Sequence, residues 1–386
     1  MRPVYLDWNS TAPPLEAALR AMADAASQAW GNPASVHRFG RAARCRVENA
    51  REAVARLAGC DARDVVITSG ATEANNMALS SAFPVGDTRS SNERGRVLVT
   101  SRLEHASVVR VAEALEREGR ARIRWIRALR DGTIDLDDLD RALSEGSVGL
   151  VAVQAVNHET GVVQPVARAR EMSARVGASL HVDAVQSFGR RTETATCADT
   201  RSLAAHKIRG PKSIGALIAA GPRTPLRALL HGGSQERGLR PGTVDAVAAA
   251  GLEVAALHAI TSPACYERLA SLRDRLETRV LDMASGATVN GGAAERVAHV
   301  TNVAFPGWSG GDLVAALDLE GVAVSSGSAC NAGTADPSPV LEAMVGRATA
   351  ACSVRFSLGE ETTPDDVDAV LEALGRVLGR VRGRGG

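Results

Sequence analysis

The sequence predicts an α/β protein with a mostly parallel sheet followed by a smaller α+β unit, and three observations carry that expectation. Short, nearly continuous apolar runs alternate with amphipathic helical segments from about residue 42 onward. Strands covered on both faces read as unbroken apolar runs, so the alternation implies βαβ units with helices on both sides of a sheet. Near residue 260 the rhythm changes to a long charged helix followed by more widely spaced strands. The length of 386 residues exceeds what one core ordinarily serves and suits about two to three domains of ~100–200 residues.

Taken in order, Ala43, Val47, Ala50, Val54 and Leu57 recur at helical spacing, and Val65-Val66-Ile67-Thr68 reads as a short buried strand. Further strands are expected at 96–100, 122–127, 149–156, 179–185 and 215–220, with a strand-like run at 201–203. Amphipathic helices at 105–118 and 165–176 separate some of them. After the break come a helix at 265–284, strands at 299–306, 322–327 and 353–357, and helices at 309–320 and 364–379. The expected division is a large domain over 14–260 and a small one made of 1–13 plus 261–386. The polar stretch 84–96 reads as an exposed loop and the Arg/Gly tail 376–386 as frayed.

Composition narrows the function. Lys and Arg number 45 against 44 Asp and Glu, so no strong overall basic field exists to hold nucleic acid directly. Only eleven aromatic residues weaken a base-stacking role further. The six cysteines, Cys45, Cys60, Cys197, Cys265, Cys330 and Cys352, show neither a C-x-x-C pair nor zinc-finger spacing, so no metal site is expected. The N-terminus MRPVYLDWNS lacks an apolar signal core, and no run reaches the ~18 apolar residues of a membrane span. The expected compartment is the cytoplasm, where cysteines stay thiols.

Four segments carry chemistry. Ser69-Gly70-Ala71-Thr72-Glu73 stands between a strand and a helix, where small residues and a helix N-terminus make a cradle for an anion; an ordinary capped helix start uses the same letters. His181-Val182-Asp183-Ala184-Val185-Gln186 ends a buried strand, and its carboxylate needs a cationic partner, either an arginine of the chain or the protonated ring nitrogen of a bound cofactor. His206-Lys207 sits among small and apolar neighbours, a setting that lowers a lysine's preference for its charged form, as imine chemistry requires. Lys212 competes with it but follows Gly210-Pro211, a turn sequence. An anion cradle, a strand-end aspartate and an amine, in that order, match the needs of pyridoxal phosphate. Finally, Ser325-Ser326-Gly327-Ser328-Ala329-Cys330 surrounds one thiol with small polar residues, as in an accessible loop.

On these residues the chain resembles the pyridoxal-phosphate-dependent cysteine desulfurases of the NifS/IscS type, in the class V aminotransferase group. Further marks are Tyr5-Leu6-Asp7-Trp8-Asn9, Gly31–His37, Glu104-His105, Val156-Asn157, Gln235–Thr243 and Val354–Gly359, so the resemblance runs essentially end to end. It implies a fold-type I architecture with a seven-stranded, mostly parallel sheet in the large domain, and a homodimer. Lys207 would bind the cofactor's aldehyde. His105 would stack on the ring, Asp183 hold the ring nitrogen protonated, and Gln186 bond the phenolic oxygen. Ala71, Thr72 and His206 would hold the phosphate, with Thr243 supplied by the second subunit. Asn157 and Arg355 would grip the carboxylate of L-cysteine, and Cys330 would take its sulfur as a persulfide for an acceptor or scaffold protein.

Two departures from the family pattern stand out. Ala204 replaces a serine that commonly contributes a phosphate hydroxyl, at a cost of ~0.5–1.5 kcal/mol. His158 replaces a second asparagine. The rival readings are another class V enzyme, an aminotransferase or selenocysteine lyase, and a catalytically silent scaffold that binds a sulfur carrier. Iron–sulfur assembly, tRNA thiolation, DNA phosphorothioation and biosynthetic sulfur supply all draw on such persulfides.

Overall fold

A computed structural model describes residues 2–85, 96–192, 198–221, 225–327 and 336–382. The short strand β1 (Val4–Tyr5) is followed by β2 (Val65–Thr68), β3 (Val97–Ser101), β4 (Arg122–Ile126), β5 (Val148–Gln154), β6 (Ser179–Asp183), β7 (Thr200–Ala204) and β8 (Gly215–Ile218). The last seven form one sheet in the order β2-β8-β7-β6-β5-β3-β4. Only β8 opposes its neighbours; the other pairings are parallel. Six strands therefore end on one edge of the sheet, where open α/β sheets place their ligands.

The sheet is mostly parallel because the connections are helices. The crossovers from β2 to β6 are α3 (Ala71–Ala82), α4 (Ala106–Arg117), α5 (Leu136–Ser144) and α6 (Val166–Arg175), while α1 (Glu16–Gln28) and α2 (Arg38–Ala58) precede the sheet and α7 (Ala246–Ala259) follows β8. Strand side chains alternate between two cores. Val65, Ile67, Val97, Val99, Val151 and Val153 enter one, beside apolar residues of α1, α2, α5, α6 and α7. Val66, Leu98, Leu150, Ala152 and Leu217 enter the other, against α3 and α4. Period-two alternation with both faces covered accounts for the continuous apolar runs in the sequence. Gly251 of α7 lets Met22 and Pro211 approach so closely that a side chain there would meet their atoms at about 2.8–2.9 Å.

A separate core gathers Val4 and Leu6 with Tyr266, Leu276, Val303, Phe305, Val354, Phe356, Val370 and Leu374. Its strands are β9 (Thr288–Val289), β10 (Val300–Ala304) and β12 (Ser353–Ser357), all antiparallel, while β11 (Val322–Ala323) pairs in parallel with β1. The N-terminal segment leaves this core at Asp7, which bridges Ser357, and crosses to His206, whose carbonyl accepts from Ala12 N. That crossing brings residues 7–11 to the edge where the sheet strands end.

Several boundaries differ from expectation. The strand expected at 149–156 ends at Gln154, because Val156 bridges Val163 instead of continuing along β6. The helix expected at 265–284 is two, Pro263–Glu267 and Ala270–Met283. The strand expected at 322–327 stops at Ala323, with Ser325 adding one bridge to Arg355. The C-terminal helix runs over Pro364–Arg382 rather than fraying from 376: Val377 is buried in the second core and Arg376 pairs with Glu320 at 2.8 Å. Most of the expected loop at 84–96 lies outside the described residues. Among the described residues no single helix is long and apolar enough to cross a membrane.

Candidate active site

A cavity of about 540 Å³ opens at the carboxyl edge of the sheet. The ends of β2, β5, β6 and β7 supply Ser69–Thr72, Gln154, Asp183 and Ala204, and the crossing N-terminal segment supplies Asn9, Ser10 and Thr11. His105, His158, Gln186, His206, Lys207 and Arg355 complete the wall. Parallel strands that end together explain why residues so distant in the sequence meet here.

One side of the cavity is a closed hydrogen-bond chain. Buried Asn75, on the second turn of α3, donates through Nδ2 to Asp183 Oδ2 and to Ser107 Oγ, both at 2.8 Å. Its Oδ1 lies 3.0 Å from His181 Nε2, so that nitrogen must carry the proton. His181 Nδ1 then accepts from Thr200 Oγ1 at 2.9 Å. Burial pushes the His181 imidazolium down to about 4, which keeps this ring neutral and its tautomer fixed. Asp183 also accepts from Val185 N at 3.1 Å, which orients its carboxylate at the strand end. His105 caps α4: its Nδ1 accepts from Ser107 N at 3.1 Å and lies 2.8 Å from Ser107 Oγ. Burial, then the nearby His158, lower His105 to about 4. Glu104 beside it is held well above the usual carboxylate range by burial and by Asp183.

The opposite side is charged. Lys207 follows β7 on a single tight turn, and its Nζ donates to the carbonyls of Asn9 and, at 2.7 Å, Ser10. Burial, then Arg190 and Arg355, push its ammonium down to about 7, so the free amine is well populated near neutrality. Lys212 is exposed on the following turn, although it also borders the cavity. Gln186 Nε2 donates to Asn9 O at 3.1 Å and its Oε1 accepts from Arg190. His206 Nδ1 meets Thr11 Oγ1 at 2.9 Å, and burial followed by Lys207 lowers this imidazole to about 4.

Ala71 and Thr72 open α3, where the first helical N–H groups have no partner within the helix, and both border the cavity. Gly70, at φ 147° and ψ −179°, caps this helix, in backbone space that glycine enters freely. Glu73 fixes the loop from behind by accepting from Ser69 N at 2.6 Å and pairing with Arg240 at 3.1 Å. Ala204 stands at the end of β7 without a hydroxyl, while Ser213 borders the same space. Thr243 is exposed and takes no part in this chain's cavity wall.

Two expected substrate contacts are differently placed. Asn157 borders no part of the cavity: its Oδ1 accepts from Glu159 N, Thr160 N and Thr160 Oγ1, and its Nδ2 donates to Leu103 O at 3.2 Å. The asparagine is thus spent on folding its own turn. Arg355 does border the cavity, but not as an open fork. Its Nη2 donates to Asp7 Oδ1 at 2.6 Å and Ser10 Oγ at 2.8 Å, and its Nη1 to His158 O at 3.0 Å. Cys330 lies outside the described residues.

Sequence reasoning left Asn75, Arg190, and the functions of Asp7 and Ser10 unassigned. Asp7, Asn9 and Ser10, polar residues around Trp8 after an apolar start, were a signal. Nothing local marks Arg190 as buried, because its partners come from residues 8, 9, 186 and 207.

The fold and the cavity define a class V aminotransferase-type enzyme: the family model "Aminotransferase class-V" matches residues 4–370, and the chain belongs to that family. Among curated proteins it is similar to "Cysteine desulfurase IscS" of Pectobacterium atrosepticum, 38% identical over 98% of this chain and 94% of the relative. Among solved structures, a NifS-like protein superposes with a TM-score of 0.88 at 29% identity, covering 98% of this chain and 99% of that one. A structure described as SspA in complex with cysteine superposes at 0.79 and 29% identity, covering 93% and 100%.

Proposed function

We propose that the chain is a pyridoxal-phosphate-dependent cysteine desulfurase: it takes sulfur from L-cysteine, releases L-alanine, and passes the sulfur from Cys330 to an acceptor protein. The observation that carries this reading is a buried lysine with a free amine near pH 7, opposite a strand-end carboxylate and beside a helix N-terminus, in one cavity. A pyridine ring bearing an aldehyde and a phosphate fits this donor set. Ala71, Thr72 and His206 would hold the phosphate, Asp183 the ring nitrogen, Gln186 the phenolic oxygen, and Lys207 the aldehyde carbon. When bound, the cofactor serves as an electron sink for a carbanion at the substrate's α-carbon.

The chain's own residues do the rest. Lys207 would take the substrate's α-proton, as a buried amine whose ammonium is pushed down to about 7. His105 is neutral at that pH, and because its Nδ1 accepts from Ser107 N its proton sits on Nε2, where it can be donated into the cavity. Arg355 receives the substrate carboxylate, exchanging part of its bond to Asp7 for it. The Cys330 thiolate accepts the sulfur, so that one S–S bond forms as the C–S bond of cysteine breaks; a proton at carbon completes alanine. The working unit is a homodimer in the cytoplasm, with Thr243 reaching the partner's phosphate site, and with residues 14–260 and 261–386 plus 1–13 as its two domains.

The test is sulfide and alanine production from L-cysteine with added reductant, in the wild-type chain and in Cys330→Ala. Loss of sulfide in the variant, with the cofactor's visible band intact, supports the reading. Wild-type turnover in Cys330→Ala would favour an aminotransferase, and absence of the band a silent scaffold.

A further inference from the structure

We propose that Arg190 is a positioning residue for the cofactor: anchored on Trp8, Asn9 and the Lys207 carbonyl, its guanidinium holds Gln186 in place and sets a buried positive charge behind the phenolic oxygen. The inference rests on the cofactor reading above and concerns a residue to which neither family pattern nor motif gave a role.

The geometry is that of a hub. Arg190 is 2% exposed. Its Nη1 donates to Asn9 Oδ1 at 2.8 Å and to Gln186 Oε1; its Nη2 donates to Trp8 O at 3.1 Å and Lys207 O at 3.0 Å. Three of these partners, Asn9, Gln186 and Lys207, border the cavity. Asn9 O accepts from both Lys207 Nζ and Gln186 Nε2, and Lys207 O belongs to the residue that would carry the cofactor. One planar fork therefore fixes the crossing segment, the lysine's backbone and the glutamine's carbonyl end together. With Oε1 held by Arg190, Gln186 presents its Nε2 as a donor, the polarity a phenolate oxygen requires.

All four partners are neutral oxygens. A guanidinium this deeply buried ordinarily faces a carboxylate, because a buried charge without one is costly. Among the described residues none forms an ion pair with Arg190. Glu360, whose field reaches it, is already held by Arg209 at 3.0 Å and by His258 at 2.8 Å. Tyr266, a further hydrogen-bonding neighbour whose ring centre is 5.8 Å from the guanidinium carbon, is kept a neutral phenol by burial, and His299 nearby is held neutral by burial. The charge of Arg190 is therefore left to act on the cavity, where it disfavours a second cation on Lys207 and His206. Of the other charges near Lys207, Arg355 adds to this field but is paired with Asp7, and Asp183 opposes it. An anionic ligand oxygen arriving beside Gln186 meets an unneutralised cation.

The test is the pH midpoint of the colour change of the cofactor-loaded chain, read by absorbance without substrate, in wild type, Arg190→Lys, Arg190→Gln and Arg190→Met. A like charge within a few ångströms lowers such a midpoint by about one unit or more, so both neutral variants should raise it by ~1 unit while Arg190→Lys stays within ~0.5. Cofactor dissociation should also strengthen in the same order, by roughly tenfold in the neutral variants. A folded neutral variant with the wild-type midpoint overturns the proposal, whatever its stability. Should neither neutral variant fold, Arg190→Ala is read with and without added guanidinium ion; a midpoint that falls when the ion is added supports the proposal and one that does not move overturns it. Absence of any band in the wild-type chain overturns the cofactor reading and this inference with it, whereas a normal band indifferent to Arg190 overturns this inference alone.

Discussion

The two sides of the cavity share burial as the main control on protonation and differ in what is added to it. On the side of α3, α4 and β6, Asn75, His181, Thr200 and Ser107 form a chain in which each donor meets an acceptor, and burial keeps His181 and His105 neutral. On the side of β7 and the crossing N-terminal segment, Lys207, Arg190 and Arg355 are held mainly by backbone carbonyls and neutral side-chain oxygens, with Asp7 as the anion. Hydrogen bonding fixes orientation and tautomer on the first side. On the second, the fields of Arg190 and Arg355 add to burial in lowering the Lys207 ammonium, while Asp183 across the cavity opposes them. The comparison teaches that a single cavity can keep an acceptor for a ring cation and a free amine close together when burial outweighs the attraction between them.

The largest effect should come from removing the amine on the charged side. Lys207→Ala is expected to lose the visible band and at least ~10³-fold in sulfide release, since it removes both the covalent hold and the base. Steady-state assays with absorbance spectra check this. Retention of the band would show that Lys212, which borders the same cavity, can replace it. Next comes the neutral side: Asp183→Asn should lower kcat/KM by ~10²–10³, because an amide cannot serve as counter-ion to a ring cation. A loss no larger than that of a surface substitution would remove Asp183 from the cofactor's ring nitrogen.

The difference between the sides also has a pH signature. A lysine held at about 7 is half free amine at that pH, whereas an ordinary one near 10.4 would be free in only about one molecule in several thousand. Because the folded value is lowered, the free amine grows as pH rises through 7 and then levels off. The rate at which the apo chain captures pyridoxal phosphate should therefore fall about tenfold per unit below pH 7 and be flat from ~8 to 9. A rate still climbing between pH 8 and 9 would mean that Lys207 is not held down.

How much of this was legible beforehand follows the same division. Runs such as Val65–Thr68 and the helices between them were readable because burial on both faces leaves a local pattern. Asp183 and Lys207 were readable because strand ends and small neighbours are also local signals. The hubs were not. Asn75 looks like any polar residue of an N-terminal helical turn, and its partners at 107, 181 and 183 are joined only by sheet order. Arg190 follows Phe188-Gly189 with no sign of burial. Asn157, which motif likeness points at the substrate, has an amide that closes its own turn through residues 159 and 160. Arg355 borders the cavity, and its bond to Asp7 joins residues 348 apart.

Breaking the neutral chain at its centre should have an intermediate effect. Asn75→Ala leaves Asp183, Ser107 and the His181 N–H each short of a partner, and a buried group so deprived costs ~1–3 kcal/mol. Denaturant unfolding should show a loss in this range, and kcat should drop roughly tenfold as Asp183 and His105 lose their common tether. Equal losses in Asn75→Ala and in a substitution at the half-buried neighbour Asn76 would mean that the chain does not act as a unit.

The smallest expected change is a gain. Ala204 ends β7 beside His206, its methyl borders the cavity, and the sheet pairing with Gly215 fixes its backbone. Serine at this position adds one hydroxyl to the phosphate side without altering either the neutral chain or the charged hub. A new hydrogen bond to a charged acceptor is worth about 1.5–3 kcal/mol and a neutral-strength one ~0.5–1.5, so Ala204→Ser should tighten pyridoxal phosphate by at least a few-fold. The midpoint of the colour change should stay put, because a hydroxyl carries no charge. Equilibrium dialysis of the cofactor, with the absorbance titration alongside, separates the two quantities. Tighter binding with an unmoved midpoint confines the phosphate's contribution to hydrogen bonding. Unchanged affinity would place the phosphate away from β7, on Thr72 and Ser213 instead.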